Sequence, residues 1–372
     1  MDLKNKLMYI GGAVIGLIIL ILLVTWIIGL TSDKSLSYSG VESKLVSATK
    51  EYAKDKPDLL PSTEDGTNIV TSTELVNGGY MDPISDYLKN KDNCTGEVKI
   101  YYSNGNYNYI PILDCGEAYK TAFLYETLTL SPVASGDGLY QMRNGEFTSG
   151  NIAADNIKYI FRGEFPNNYI KFGEILWRVV EINENNDMIL IADEPTDKYF
   201  LWDDRYNVQE KKDHGINDYA KSRMIDYLKE TYEPTIPEEM KTLIDSMNIC
   251  VGGRLDDSKV SDYEEECSKI LDRQSIGLLS VSQFTIASLD TNCKTIKDNS
   301  CGNYNYLATS KKPWWLTTPL SSDTFNVYYV KGSFVQNDWA KHKYTVRPIV
   351  MLGNRAVLES GTGTKTDPYI VK

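Results

Sequence analysis

Histidine is nearly missing from this chain: only His214 and His342 occur in 372 residues. Acyl-transfer triads use a histidine as base, and neither histidine stands in a catalytic signature. No G-x-S-x-G, H-E-x-x-H or phosphate-binding glycine loop is present. Lys/Arg clusters are also missing, and the formal charge of -12 with a pI near 4.9 removes the basic patch that nucleic acid requires. No C-x-x-C pair occurs, so the spacing of zinc ribbons and dithiol redox motifs is absent. These gaps predict a protein that is not an enzyme, calls for no cofactor or metal, and binds no nucleic acid.

One stretch lacks charge altogether. Tyr9 to Leu30, YIGGAVIGLIILILLVTWIIGL, is an apolar run of 22 residues. As a helix it reaches about 33 Å, enough to cross a hydrocarbon core of about 30 Å. It is longer than a secretory h-region and ends in Gly29-Leu30-Thr31-Ser32, without a small-residue cleavage pattern. An uncleaved single-pass anchor is expected, with the lipid bilayer as partner. Lys4 and Lys6 precede the run, so residues 1–8 are expected in the cytoplasm and the bulk of the chain outside the cell membrane.

The cysteines fit that placement. Cys94, Cys115, Cys250, Cys267, Cys293 and Cys301 all follow the apolar run. Six cysteines allow 15 connectivities, and pairing of sequence neighbours is the simplest: Cys94–Cys115, Cys250–Cys267 and Cys293–Cys301. Each bridge would stabilise the fold by about 2–4 kcal/mol.

Beyond the anchor the pattern is α+β. Ser37 to Lys54 carries apolar residues at helical spacing and stops before Pro57. A short helix capped by Ser72 follows. VKIYY and YNYIPIL flank Asn104-Gly105-Asn106 and read as a hairpin. Residues 31–118 form a small first module. Residues 119–156, rich in Gly, Ser and Asn, read as a linker of loop with one or two short strands. Residues 157–372 form a larger mixed domain. It opens on strands joined by Asn183-Glu184-Asn185-Asn186, continues with helices over Asp218–Tyr232, over PEEMKTLIDSM from Pro237, and at Leu279–Ala287, and closes on strands.

The layout of Met1 to Gly116, a membrane helix with an exposed continuation and a disulfide-tied small sheet, resembles type IV pilins and pseudopilins. The pilin processing site is missing: Gly11-Gly12 is followed by Ala13, and no acidic residue interrupts the apolar run. An anchored monomeric stalk is therefore expected ahead of a filament subunit. In the second half, Arg162-Gly163, NNYIKFGEILWRVV, IGLLS, WWLTTP, VRPIVML and SGTGTKTDPYIV occur in that order. Together they resemble an uncharacterised extracellular domain of Gram-positive and related gut bacteria. That domain is similar in motif order to C-type-lectin-like folds, including the formylglycine-generating relatives. The resemblance implies a lectin-like fold and no particular activity.

Lectin calcium loops use Glu-Pro-Asn and Trp-Asn-Asp segments, and calcium takes six to eight oxygen ligands. Here Glu194-Pro195-Thr196 and Gln336-Asn337-Asp338-Trp339 are fragments of that pattern in the wrong order, so no calcium site is predicted. Tryptophans carry the binding expectation. Adjacent strand residues face opposite ways, so Trp314 is expected in the core against Trp177 and Trp315 is expected to face outward. Trp202 with Asp203 and Arg205, and Trp339 with Asn337 and Asp338, lie in polar segments suited to stacking on a sugar or anchoring a protein. The expected function is a cell-surface binding or adhesion domain for an unknown extracellular glycan, wall polymer or protein. The alternatives are a pilin-like envelope component and, behind both, an extracellular enzyme with acids around Asp203, Asp204 and Arg205.

If the chain matures in an oxidising exterior, alkylation of the denatured but unreduced protein should label none of the six cysteines. Mass spectrometry after reduction should then find all of them labelled; six free thiols before reduction would contradict the topology.

Overall fold

The computed structural model describes residues 35–63, 66–103, 105–148, 151–152 and 155–372. The predicted membrane helix, Tyr9–Leu30, lies outside the described residues. Among the described residues no helix is long and apolar enough to cross a membrane. The fold is mixed α+β, with more strand than helix.

Two compact units are formed. The first takes the described residues up to Leu59, with Ile69–Lys99 and Pro111–Lys120; the second takes Leu60–Asn68, Ile100–Ile110 and Thr121–Lys372. Helix α1, Tyr38–Asp55, starts where the Ser37 side chain accepts the Gly40 N–H. It buries Val41, Leu45, Ala48 and Tyr52, an apolar stripe at helical period. Glu42 is also buried on this helix, and its carboxylate accepts from Tyr119 Oη at 2.8 Å. Strand β1, Thr67–Thr71, runs into α2, Ser72–Asn77. The cap of α2 is Thr71 rather than the expected Ser72, because Glu74 reaches back to close a capping box with Thr71. Strands β2, Thr95–Ser103, and β3, Asn106–Asp114, complete a three-stranded sheet in the order β1–β2–β3. Cys94–Cys115 ties its ends.

The second unit is built on an 11-stranded sheet. Its central strands are β4, Gly138–Arg143; β5, Ile157–Arg162; β6, Tyr169–Phe172; β7, Ile175–Ile182; and β8, Met188–Ala192. Within residues 119–156, read as a linker with one or two short strands, β4 is such a strand. Strand β4 pairs with β5 along its whole length, from Gly138↔Arg162 to Arg143↔Ile157. Strands β7 and β8 form the expected hairpin, with Asn186 at φ 66° in its turn.

Helix is scarcer than the periodicity suggests. Asp218–Tyr232 breaks into a 3₁₀ turn, helix α3 over Arg223–Tyr227 with Ser222 as cap, and a π turn at Leu228–Tyr232. The helix expected from Pro237 ends at Lys241. Its remaining residues become Ile244–Asp245, paired with the sheet, and β9, Met247–Cys250, so a tertiary partner outweighs local preference. Strand β10, Ile270–Gln274, pairs with β9, and α4, Val281–Ile286, starts on a Ser280–Gln283 capping box.

A second sheet of three strands contains β11, Trp314–Pro319; β12, Asn326–Lys331; and β13, Phe334–Trp339. The chain then returns to the large sheet through β14, Pro348–Leu352, beside β8, and β15, Tyr369–Val371, parallel to β6. Three disulfides join sequence neighbours, as the simplest pairing predicts: Cys94–Cys115, Cys250–Cys267 and Cys293–Cys301.

Both members of the tryptophan pair are fully buried, which corrects the outward placement of Trp315. The two indoles take opposite faces of β11, yet each face has a cover. Trp314 meets Phe284 at 6.2 Å, with the Arg347 guanidinium 5.0 Å from its ring. Trp315 packs edge-on to Tyr344 at 4.6 Å and donates its indole N–H to the Phe200 carbonyl at 2.9 Å. Trp177 is buried as expected.

The Arg162-Gly163 pair has a backbone reason. Gly163 sits at φ 105°, and a Cβ there would lie 2.1 Å from the Asp137 carboxylate, which accepts the N–H groups of Glu164 and Phe165.

Trp315→Ala removes a fully buried indole and is expected to destabilise the second unit by about 3–5 kcal/mol. A urea titration of the purified full chain, followed by tryptophan fluorescence, checks the shift in midpoint.

Candidate functional site

The loop after Phe200–Leu201 carries three of the predicted binding residues, and the segment closing β13 carries three more. Phe200 and Leu201 pair with Tyr344 and Lys343, which draws the two segments together. The N–H groups of Trp202 and Asp203 both donate to the Ala340 carbonyl at 2.9 Å, and Lys341 N–H donates to His214 O at 3.1 Å. Trp202, Asp203, Arg205, Asp338 and Trp339 therefore share one corner of the second unit.

Within that corner their roles divide. Trp202 is buried, not exposed as its polar neighbours suggest. Its indole donates to Leu316 O at 3.1 Å and lies 5.6 Å from the Tyr219 ring. Asp203 is buried as well, and its carboxylate accepts from Arg205 Nε at 2.9 Å and from the backbone of Arg205 and Ile216. It organises the loop. Arg205 is held by the same carboxylate. Trp315 reaches the corner through the Tyr344 ring and its bond to the Phe200 carbonyl. Asn337 turns elsewhere, donating to Asp256 at 2.8 Å.

Trp339 alone among these tryptophans offers a ring to solvent, with 40% of its surface exposed. His214 lies against it at 3.8 Å between ring centroids, and His342 stacks at 5.2 Å. Asp338 binds the cluster together. Its Oδ2 accepts from Tyr344 Oη at 2.6 Å and lies 2.7 Å from His342 Nδ1. Burial works against the charge of Asp338, but the hydrogen bonds from Tyr344, His342 and the Trp339 N–H outweigh it and hold the carboxyl below the usual range. Burial, then the bond to Asp338, pushes the Tyr344 phenol well up, so it stays a donor. The patch thus combines a partly exposed indole with fixed polar neighbours. The two histidines gain a place here as ring partners of Trp339, which no sequence signature marked.

A cleft elsewhere in the same unit escaped sequence reasoning. It encloses about 790 Å³. Ile160 of β5, Glu181 of β7 and Ile189 of β8 line it as cross-strand neighbours, with Ile349 of β14 beside them. A register shift between Val179 and Glu181 on β7 marks a bulge at this point. Glu181 lies 3.9 Å from Lys158, which also pairs with Glu184 at 3.4 Å. Glu266 is buried at the far wall, accepting from Thr318 Oγ1 at 2.6 Å and from the Ser282 N–H at 3.3 Å. Burial, more than any other influence, raises the carboxyls of both Glu181 and Glu266. A lone glutamate inside the apolar run ILWRVVEI was the available signal. Among the described residues no group of three or more His, Cys, Asp or Glu is placed to hold a metal ion.

Residues 186–354 match the model of a domain of unknown function, DUF6273. The matched stretch begins in the β7–β8 turn and ends just after β14, so it contains the Trp339 patch. No curated protein matches the chain, and no solved structure does.

Because Asp338 has a lowered folded pKa, it stabilises the fold above the unfolded carboxyl value of about 3.9, and that contribution is lost as pH falls through the folded value. Asp338→Asn should lower the melting temperature at pH 7. The gap to the parent should close below about pH 4 in thermal scans.

Proposed function

We propose that the chain is a membrane-anchored cell-surface protein whose second unit is a non-catalytic recognition domain. Its ligand is an extracellular glycan, wall polymer or protein, engaged at the Trp339 patch. The single observation that carries this reading is the partly exposed Trp339 ring, backed by His214 and His342 and edged by Asp338. A partly exposed indole suits the apolar face of a sugar ring or a protein side chain, and fixed polar neighbours supply direction. The uncharged run Tyr9–Leu30 supports the anchor in the bilayer, and three disulfides support an oxidising exterior. The order of motifs from Arg162-Gly163 to the C-terminal PYIV supports a lectin-like ancestry for the domain.

A second reading is a pilin-like envelope component. Helix α1 followed by a small disulfide-tied sheet favours it. Solubilised membranes resolved by size separate the two, since an envelope component migrates as a large assembly and an anchored receptor does not.

Arrays of glycans, wall fragments and surface proteins probed with the detergent-solubilised full chain test the main reading. Trp339→Ala should lower retention at least about tenfold, or about 1.4 kcal/mol, while the melting temperature stays near that of the parent. Unchanged retention in that variant removes the patch from the account.

A further inference from the structure

The cleft beside Glu181 is independent of the Trp339 patch, and its chemistry is narrower. Its volume of about 790 Å³ falls within the usual range for small-molecule sites. The floor is aliphatic: Ile160, Ile189 and Ile349 come from three strands of the large sheet. Glu181 stands in the middle of that floor, opposite Ile160 on one side and Ile189 on the other. The isoleucines beside it offer that carboxylate no polar partner; Lys158 and the Gln283 side chain supply the ones it has.

The lining is charged in one direction. Glu181, Glu184, Glu264 and Glu266 face Lys158 as the one basic residue among those that line the cleft. Glu266 is occupied by Thr318 and the Ser282 backbone, so it forms wall. Glu181 differs. Its side chain keeps 18% exposure, and an ionised carboxylate offers about four acceptor positions. Lys158 stands at 3.9 Å, so the chain itself already sets an ammonium beside this carboxylate. No aromatic ring is among the lining residues, which favours a hydrogen-bonding ammonium over a quaternary one that seeks aromatic faces.

We propose that this cleft is a second binding site, for a small molecule joining a primary ammonium to an apolar body, with the ammonium on Glu181 and the body over the isoleucine floor. Because burial raises the Glu181 carboxyl, the ligand's charge draws it into its ionised form and a proton leaves on binding. Affinity therefore rises with pH through that raised value. An aliphatic ammonium, like that of lysine with its pKa of about 10.4, keeps its charge throughout.

Isothermal titration calorimetry of the full chain in lipid nanodiscs, with empty nanodiscs as blank, tests this with n-pentylamine, n-pentanol and n-pentanoate. Pentylamine is expected to bind at least about tenfold more tightly than pentanol at pH 7, and pentanoate more weakly than either. Its affinity should fall as pH is lowered through the raised carboxyl value, and the proton released on binding, read from buffers of different ionisation enthalpy, should be largest where the free carboxyl is still protonated. Glu181→Gln should bring pentylamine down to the level of pentanol, whereas Trp339→Ala should leave it unchanged. Equal affinity for amine and alcohol, no binding of any probe, or an undiminished preference in a folded Glu181→Gln variant overturns the proposal. If that variant does not fold, the ratio of amine to alcohol in the parent decides alone. Failure here leaves the Trp339 reading intact, because the two sites share no residue.

Discussion

The second unit depends on guanidinium groups carried into its core. Arg178 and Arg347 are 3% and 0% exposed, and among the described residues neither forms an ion pair. A charge taken out of water without compensation is costly, so the surroundings must replace its hydration. Arg347 donates to the carbonyls of Ala192 and Leu307, both at 3.0 Å, and lies over Trp314. Arg178 donates to Asn168 Oδ1 and Tyr169 Oη and lies between the rings of Tyr169 and Tyr306. Burial draws the Arg347 pKa down to about 10, still high enough to keep its proton at neutral pH. Each arginine thereby locks segments far apart in the chain to one geometry, and the aromatic residues beside it are cation partners as much as filler.

That arrangement explains what was legible in the sequence. The strands around Arg178 and Arg347 are β-rich runs with clear turns, and they appear where periodicity puts them, as does the disulfide pairing. The failures share a cause. Trp202 and Trp315 sit in polar or two-sided contexts, and only the docking of Phe200–Leu201 on Lys343–Tyr344 reveals that both faces are covered. The expected helix from Pro237 yields to a strand because Ile244 finds Leu352 on the sheet edge. Long-range partners, invisible in a window of residues, decide these cases.

The two proposed recognition surfaces differ in the same way. The partial exposure of Trp339 was legible because an indole among Asn and Asp is conspicuous in one line of sequence. The Glu181 cleft was not, because its floor is assembled from strands at residues 157–162, 188–192 and 348–352. A single irregularity in β7 sets where its carboxylate comes forward.

The last strands to emerge are not the outermost. Strand β14 takes an interior place beside β8, and β15 lies against β6 some 200 residues earlier. The three sulfur bridges span 21, 17 and 8 residues, so each can be made while the chain is still being delivered. Local knots first, closure afterwards: a nascent chain halted before Pro348 would be stapled yet gaping, with β8 showing an unzipped flank of backbone donors and acceptors to any neighbour.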